Sequence, residues 1–404
     1  MDKRTNPYTP GPGTPPPYLA GREDEIEDIQ VIFDRLAAGM SVEHPVYAGL
    51  RGVGKTTILT AAMNEAEERG WQYCVVEGDT ASSPIGEFRI HLENMARNLG
   101  EKNEKFLAKA MRCIEQISLS LGPVGVRAGF HAPGEMERQT TPWLTELIVS
   151  LGEEARRQGT GVALAFDEVH LFSEPELKAV LGALHLANQR KLPIAFFLAG
   201  LPQIAPVLQA SKTYAERLTV TEVDKLDIVA ARESLVVPAR DLGVTYEPDA
   251  LEAIVKATSG YPYFLQLFGS IVWNEAEASP ISMEAVKPAL TQYRKRLDKS
   301  FFKGRYSKAT PAEKRYLHAM AGLLTHGRSG VSSRAVAESM ETNIGSVSPL
   351  RDALIKKGLI YARERGALAF TVPLFGDYLR RHRDQFEAGI NDDAVEEYDD
   401  FTIP

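Results

Sequence analysis

The stretch Gly49-Leu50-Arg51-Gly52-Val53-Gly54-Lys55-Thr56 fits the pattern G-x-x-x-x-G-K-[ST]. Such a turn cradles an anion with backbone N–H groups at a helix N-terminus. It constrains the fold as well as the chemistry, because it has to join a strand to a helix. Val46-Tyr47-Ala48 reads as the strand, and Ile58-Leu59-Thr60-Ala61-Ala62-Met63 as a helix with good formers and no breaker. Gly49, Gly52 and Gly54 remove Cβ atoms where the chain curls around phosphate oxygens. Val53 and Thr57 complete the binding turn. Lys55 supplies a mobile charge for β- and γ-phosphates, and Thr56 a hydroxyl ligand for Mg²⁺. Arg51 is open between phosphate and solvent.

A second stretch, Gly161-Val162-Ala163-Leu164-Ala165-Phe166-Asp167-Glu168, is apolar until two carboxylates end it. Runs of this kind are strands buried on both faces, which predicts an α/β fold with a parallel sheet covered by helices. Ligands in such sheets bind beyond the C-terminal strand ends, where Asp167 and Glu168 would lie. Asp167 is then expected in the Mg²⁺ shell, and Glu168 beside the water that attacks ATP. His170 reads as a residue at a helix start rather than a metal ligand.

Composition sets the outer bounds. At 404 residues with 44% hydrophobic and 25% charged side chains, the chain is long enough for two or three globular domains. No apolar run approaches the roughly 20 residues of a membrane span. Two isolated cysteines, Cys74 and Cys113, make neither a disulfide framework nor a zinc pattern, so a cytoplasmic setting is expected. The net charge of -8 hides an asymmetry. Residues 294–383 hold 19 Lys/Arg against 7 Asp/Glu, whereas residues 384–404 hold 8 acidic side chains and no basic ones. An acidic body, a basic module of +12 and an acidic tail of -8 suggest divided tasks.

The chain divides accordingly. Residues 1–18, with six prolines, read as an extended or disordered arm. Residues 19–225 form the nucleotide core, with helices expected around Phe88–Leu99, Glu104–Ile117 and Trp143–Arg157, and a hairpin over Ser118–Phe130. Further strands are expected at Ile194–Ala199 and Leu218–Val223. Residues 226–293 are helical and broken by Gly260-Tyr261-Pro262, as a small all-α lid would be. In residues 294–383, Thr310-Pro311-Ala312-Glu313 is a capping box that opens a helix. A helix at Ser333–Met340, a turn at Asn343-Ile344-Gly345 and a third helix running to Lys357 follow, then strands at Leu359–Arg363 and Ala367–Val372. Three helices and a hairpin predict a winged helix-turn-helix. Residues 384–404 are expected to be a disordered tail that either masks the basic module or merely solubilises.

These motifs in this order resemble an AAA+ ATPase of the group spanning origin-recognition initiators and STAND switch ATPases, with a C-terminal winged helix. The likeness covers roughly residues 19–383. It rests also on Gly21-Arg22-Glu23, Tyr214-Ala215-Glu216-Arg217-Leu218, Gly260-Tyr261-Pro262-Tyr263 and Phe370-Thr371-Val372-Pro373-Leu374-Phe375. The resemblance implies that Leu19, Gly21 and Arg22 lie against the adenine and that Pro262 packs on the base. It implies too that Arg217 reaches a neighbouring subunit's γ-phosphate in a homo-oligomer, although a surface salt bridge with Glu216 is equally open. Two departures stand out. Gly200-Leu201-Pro202 follows the strand that should end in a polar sensor, with Gln203 the nearest amide. Tyr263 occupies the position that often carries a sensing arginine. Both point to slow hydrolysis and switch-like behaviour.

A winged helix places its third helix in the major groove of double-stranded DNA and its wing against the backbone. Ser346, Ser348 and Arg351 would meet base edges. Lys356, Lys357, Arg363 and Arg365 would meet phosphates, joined by Arg380, Arg381 and Arg383 if the last helix turns toward DNA. A basic face that docks on the acidic body, or on a partner protein, remains the alternative.

Overall fold

A computed structural model describes the chain apart from residues 12, 80–81, 122–134, 211–216, 325–329, 364–365 and 385–404. The expected acidic tail, Arg365, Glu216 and most of the expected hairpin lie outside the described residues. The chain divides into two compact units. One comprises residues 22–49 and 54–223, the other residues 1–21, 50–53 and 224–404.

The first unit is a layered α/β body. In chain order it contains α1 (Glu23–Ala37), β1 (His44–Ala48), α2 (Lys55–Glu68), β2 (Gln72–Glu77), α3 (Pro84–Gly100), α4 (Glu104–Leu121) and α5 (Glu135–Gln158). Next come β3 (Val162–Asp167), α6 (Glu174–Gln189), β4 (Ile194–Gly200), α7 (Ile204–Ala210) and β5 (Leu218–Glu222). The five strands are parallel, in the order β2-β3-β4-β1-β5. The three inner strands, β3, β4 and β1, are buried along their whole length. Their apolar runs are what a sheet covered on both faces requires. Strand alternation sorts the aromatic residues. Phe166 and Phe196 face α3, where Phe88 meets Phe166 edge-on at 5.0 Å. Phe197 faces the other way and lies 5.8 Å from Phe33 of α1. Ser118–Leu121 continue α4 rather than opening a hairpin.

In the second unit α8 (Ile228–Arg240), α9 (Pro248–Thr258), α10 (Pro262–Glu275) and α11 (Met283–Arg296) form a helical group. Tyr261 caps α10 and Pro262 occupies its first turn, which starts the helix where the sequence breaks. A π-helical turn at Leu297–Phe302 and a short α12 (Lys303–Tyr306) lead into the C-terminal elements. These are α13 (Pro311–Leu323), β6 (Val331–Ser332), α14 (Ser333–Ser339), α15 (Ile344–Lys356), β7 (Ile360–Ala362), β8 (Ala367–Phe370) and α16 (Phe375–Arg381). Strands β6, β8 and β7 form an antiparallel sheet in that order. The capping box at Thr310 and Glu313 is formed, with Thr310 N–H donating to Glu313 Oε2 at 2.7 Å.

The N-terminal arm differs from the loose segment its prolines suggest. Tyr8 is only 4% exposed and belongs to the apolar core around α8 and α10. Its hydroxyl donates to Leu235 O at 2.7 Å and also meets the Tyr246 hydroxyl. Asn6 Nδ2 donates to Ser270 O at 2.9 Å and Asn274 Oδ1 at 3.0 Å, and Trp273 Nε1 donates to Asp2 O at 3.1 Å. Proline keeps this segment extended without a ladder of its own. The apolar face of α10 supplies what holds it.

Candidate nucleotide site

The site begins where β1 ends. Gly49 N–H donates to Gly200 O at 3.1 Å, so the phosphate turn leaves from the edge of β4. Gly54, the N-cap of α2, has φ of 100° and no side chain to cap the helix. A residue with Cβ is strained at that φ. The N-cap therefore brings no side-chain acceptor to the first N–H groups of α2, as an anion site needs. Lys55 opens α2, is 7% exposed, and donates through Nζ to Gly49 O at 2.9 Å. Thr56 Oγ1 donates to Asp167 Oδ2 at 2.6 Å. Val53 is fully buried and Thr57 half-buried.

Asp167 ends β3 and is 6% exposed. Burial raises its carboxyl above the usual range, the Thr56 hydroxyl opposes that, and Glu168 adds to it. Its Oδ1 accepts the Glu168 N–H at 2.7 Å. Glu168 itself has φ of 49°, a left-handed conformation that residues other than glycine seldom adopt. Gly78 explains how that conformation is accommodated. Its N–H donates to Asp167 O at 2.9 Å, and a Cβ at this position would lie 2.5 Å from Glu168 O. Only glycine lets the chain after β2 pass so close. Glu77 pairs in register with Asp167 and is raised by its own burial and by the charges of Asp167 and Glu168. A run of carboxylates therefore gathers at the ends of β2 and β3, and sequence reasoning missed its third member. The alternation of β2 carried no sign that Glu77 would sit opposite Asp167.

Nucleotide and metal chemistry fits these residues. The uncapped start of α2 with Lys55 suits phosphate oxygens. The Thr56 hydroxyl and the buried Asp167 carboxylate, already in contact, are hard oxygen donors of the kind Mg²⁺ takes.

Residues 18–197 match the family described as AAA ATPase domain. The chain carries a P-loop AAA+ ATPase domain. Residues 299–379 match a domain of unknown function, DUF8462. The Walker-type ATPase PABY2304 of Pyrococcus abyssi is 15% identical, with 92% of this chain and 98% of that one aligned at a TM-score of 0.51. That likeness is one of fold. The Aeropyrum pernix ORC1 protein, solved in complex with DNA, aligns over 93% of this chain and 95% of its own at 15% identity and a TM-score of 0.47. Cdc6p from Pyrobaculum aerophilum aligns over 97% and 99% at 13% identity and a TM-score of 0.46. No curated protein matches the sequence.

The other expected residues are distributed as follows. Arg22 is 8% exposed at the start of α1, with Glu25 4.0 Å away. Arg217 is half-buried immediately before β5. In the second unit, Leu19, Gly21 and Pro262 are half-buried. Arg51, left open between phosphate and solvent, donates its backbone N–H to Thr371 O at 3.2 Å within that unit. There too Tyr263 N–H donates to Gly52 O at 3.3 Å, and the Tyr263 ring stacks on Phe301 at 4.8 Å.

The basic residues of the C-terminal elements divide into two groups. Ser346 is exposed in the first turn of α15, with Ser348 half-buried behind it, and Lys356 and Arg363 are exposed. Arg351 pairs with Asp352 at 2.8 Å. Three others make contacts within the same unit. Lys357 Nζ donates to Glu313 Oε2 at 2.6 Å and to Lys308 O at 2.9 Å. Arg380 Nη1 caps the end of α13 through Ala321 O and Leu324 O, both at 2.8 Å. Arg381 Nη2 donates to Asp298 Oδ1 at 2.7 Å. Glu313 and Asp298 are nearly buried, and a buried carboxylate demands such a partner. Among the described residues no helix is long and apolar enough to cross a membrane.

Proposed function

We propose that the chain is a slow, cytoplasmic nucleotide switch that acts on double-stranded DNA, with residues 294–383 as a winged-helix domain. The observation that carries it is the Thr56–Asp167 contact of 2.6 Å beside the uncapped start of α2. In this reading the first amides of α2 and Lys55 hold the β- and γ-phosphates, while Thr56 and Asp167 hold Mg²⁺. The metal supplies charge to the transferring phosphoryl group when bound. Glu168 orients the attacking water and takes its proton. Leu19, Gly21, Arg22 and Pro262 receive the adenine. Arg217 completes a neighbour's site in a homo-oligomer.

Slow turnover is supported by the end of β4. Gly200 and Leu201 offer no polar side chain to a γ-phosphate, and Tyr263 is occupied in an aromatic stack. DNA is supported by the +12 charge of residues 294–383 and by the exposed start of α15 with Lys356 and Arg363. Fluorescence anisotropy of a labelled duplex tests this with ATP and with ADP, at several salt concentrations. Affinity is expected to differ between the two nucleotides in the wild type and to become the same in Lys55→Ala. Equal affinities in the wild type at every salt concentration would remove the switch.

A second reading, a STAND-like ATPase with a protein partner, is favoured by the internal engagement of Lys357, Arg380 and Arg381. It predicts ATP-dependent oligomers and no duplex binding at moderate salt.

A further inference from the structure

His170 lies in the short 3-10 turn, Val169–Leu171, that follows Glu168. Its side chain is 2% exposed, and its Nδ1 lies 3.2 Å from Glu168 Oε2. The same nitrogen lies 3.3 Å from the backbone N of Leu201, just past the end of β4. These contacts require opposite states of one atom. Nδ1 donates to Glu168 only when it carries a hydrogen, and accepts from Leu201 only through its lone pair. Both partners belong to the same compact unit as the ring. The backbone of the turn also passes close to the strand end, because a Cβ on Gly200 would lie 3.5 Å from the main-chain N of His170.

We propose that His170 is the positioning residue for Glu168, holding its carboxylate through Nδ1 and exchanging that contact for the Leu201 amide at the end of β4. The inference rests on the ATPase reading above and deepens it. Strand β4 brings no polar side chain to the site. A shift of its last residues still changes what Nδ1 faces, and hence whether Glu168 is anchored. A carboxylate anchored through one oxygen keeps the other aimed at the water. One released from the ring does not, and misplacement of a base by about 1 Å costs roughly a hundredfold in rate.

Two conservative replacements separate this role from packing. Asparagine places its amide near the position of Nδ1, whereas glutamine places it near Nε2, and the two differ little in polarity. In His170→Asn, kcat for ATP is expected to stay within about threefold of wild type, and in His170→Gln to fall about tenfold or more. Nucleotide affinity, measured with a fluorescent ATP analogue, is expected to be unchanged in both, as is the thermal midpoint of one relative to the other. Equal kcat values in the two variants would overturn the proposal, as would a loss that follows nucleotide affinity. If wild-type turnover depends on Lys55 while the two variants agree, only the role of His170 fails. If wild-type turnover does not depend on Lys55, the ATPase assignment fails with it.

Discussion

Thr56 Oγ1 and Asp167 Oδ2 stand 2.6 Å apart although 111 residues separate them in the chain. The contact forms because β1 and β3 both end at the same edge of a parallel sheet, one turning into α2 and the other into the Glu168 turn. Asp167→Asn keeps the shape but removes the charge that attracts the cation. ATP affinity measured against Mg²⁺ concentration is expected to need at least about tenfold more metal, while affinity without metal stays unchanged.

His44 gives the fold a pH dependence. It is completely buried in β1, with Nδ1 accepting the Phe196 N–H at 3.3 Å and, among the described residues, no hydrogen-bond partner at Nε2. Burial pushes its pKa down from 6.5 to about 3. Between those values the unfolded chain binds a proton that the folded chain refuses, so stability falls as pH falls, by up to about 1.4 kcal/mol per pH unit. Above pH 6.5 the group contributes no slope. Urea unfolding from pH 7 to pH 4 is expected to show a shallower loss in His44→Leu than in wild type.

Tyr8 ties the N-terminal arm to α8. Tyr8→Phe keeps the ring but leaves Leu235 O and the Tyr246 hydroxyl without their partner, which costs about 1–3 kcal/mol. A lower urea midpoint with unchanged ATP affinity is the expected outcome.

The basic residues of the C-terminal elements are expected to separate by role. Lys356→Ala and Arg363→Ala each reduce the salt slope of duplex binding by about 0.9. Lys357→Ala and Arg381→Ala leave that slope alone and instead destabilise the fold by about 1–3 kcal/mol, because Glu313 and Asp298 lose their partners. Anisotropy titrations and thermal unfolding of the same four variants distinguish the two classes.

Much of the site was legible in the sequence because its signals are local. The glycine-lysine turn and the apolar run into Asp167-Glu168 each carry their own flanks, and Thr310 caps a helix from three residues away. What the sequence concealed depends on partners far along the chain. Lys357 meets Glu313 across 44 residues and Arg381 meets Asp298 across 83, pairings that charge count alone does not reveal. His170 reads as a helix-start residue until Leu201, 31 residues on, is brought beside it by β4. The arm misled for the same reason: proline content describes its backbone, while the burial of Tyr8 is decided by α8 and α10. Two-residue β6 and the π-helical turn at Leu297–Phe302 are too short or too irregular to leave a periodic trace.

The most direct measurement is Mg²⁺-dependent phosphate release from ATP by the wild type, Lys55→Ala and Glu168→Gln, with bound nucleotide quantified in parallel. The wild type is expected to turn over slowly and Lys55→Ala not at all. Glu168→Gln should bind ATP as the wild type does and release phosphate at least about a hundredfold more slowly. Equal release by Glu168→Gln and wild type, at equal ATP occupancy, would contradict a hydrolytic centre at the ends of β1 and β3.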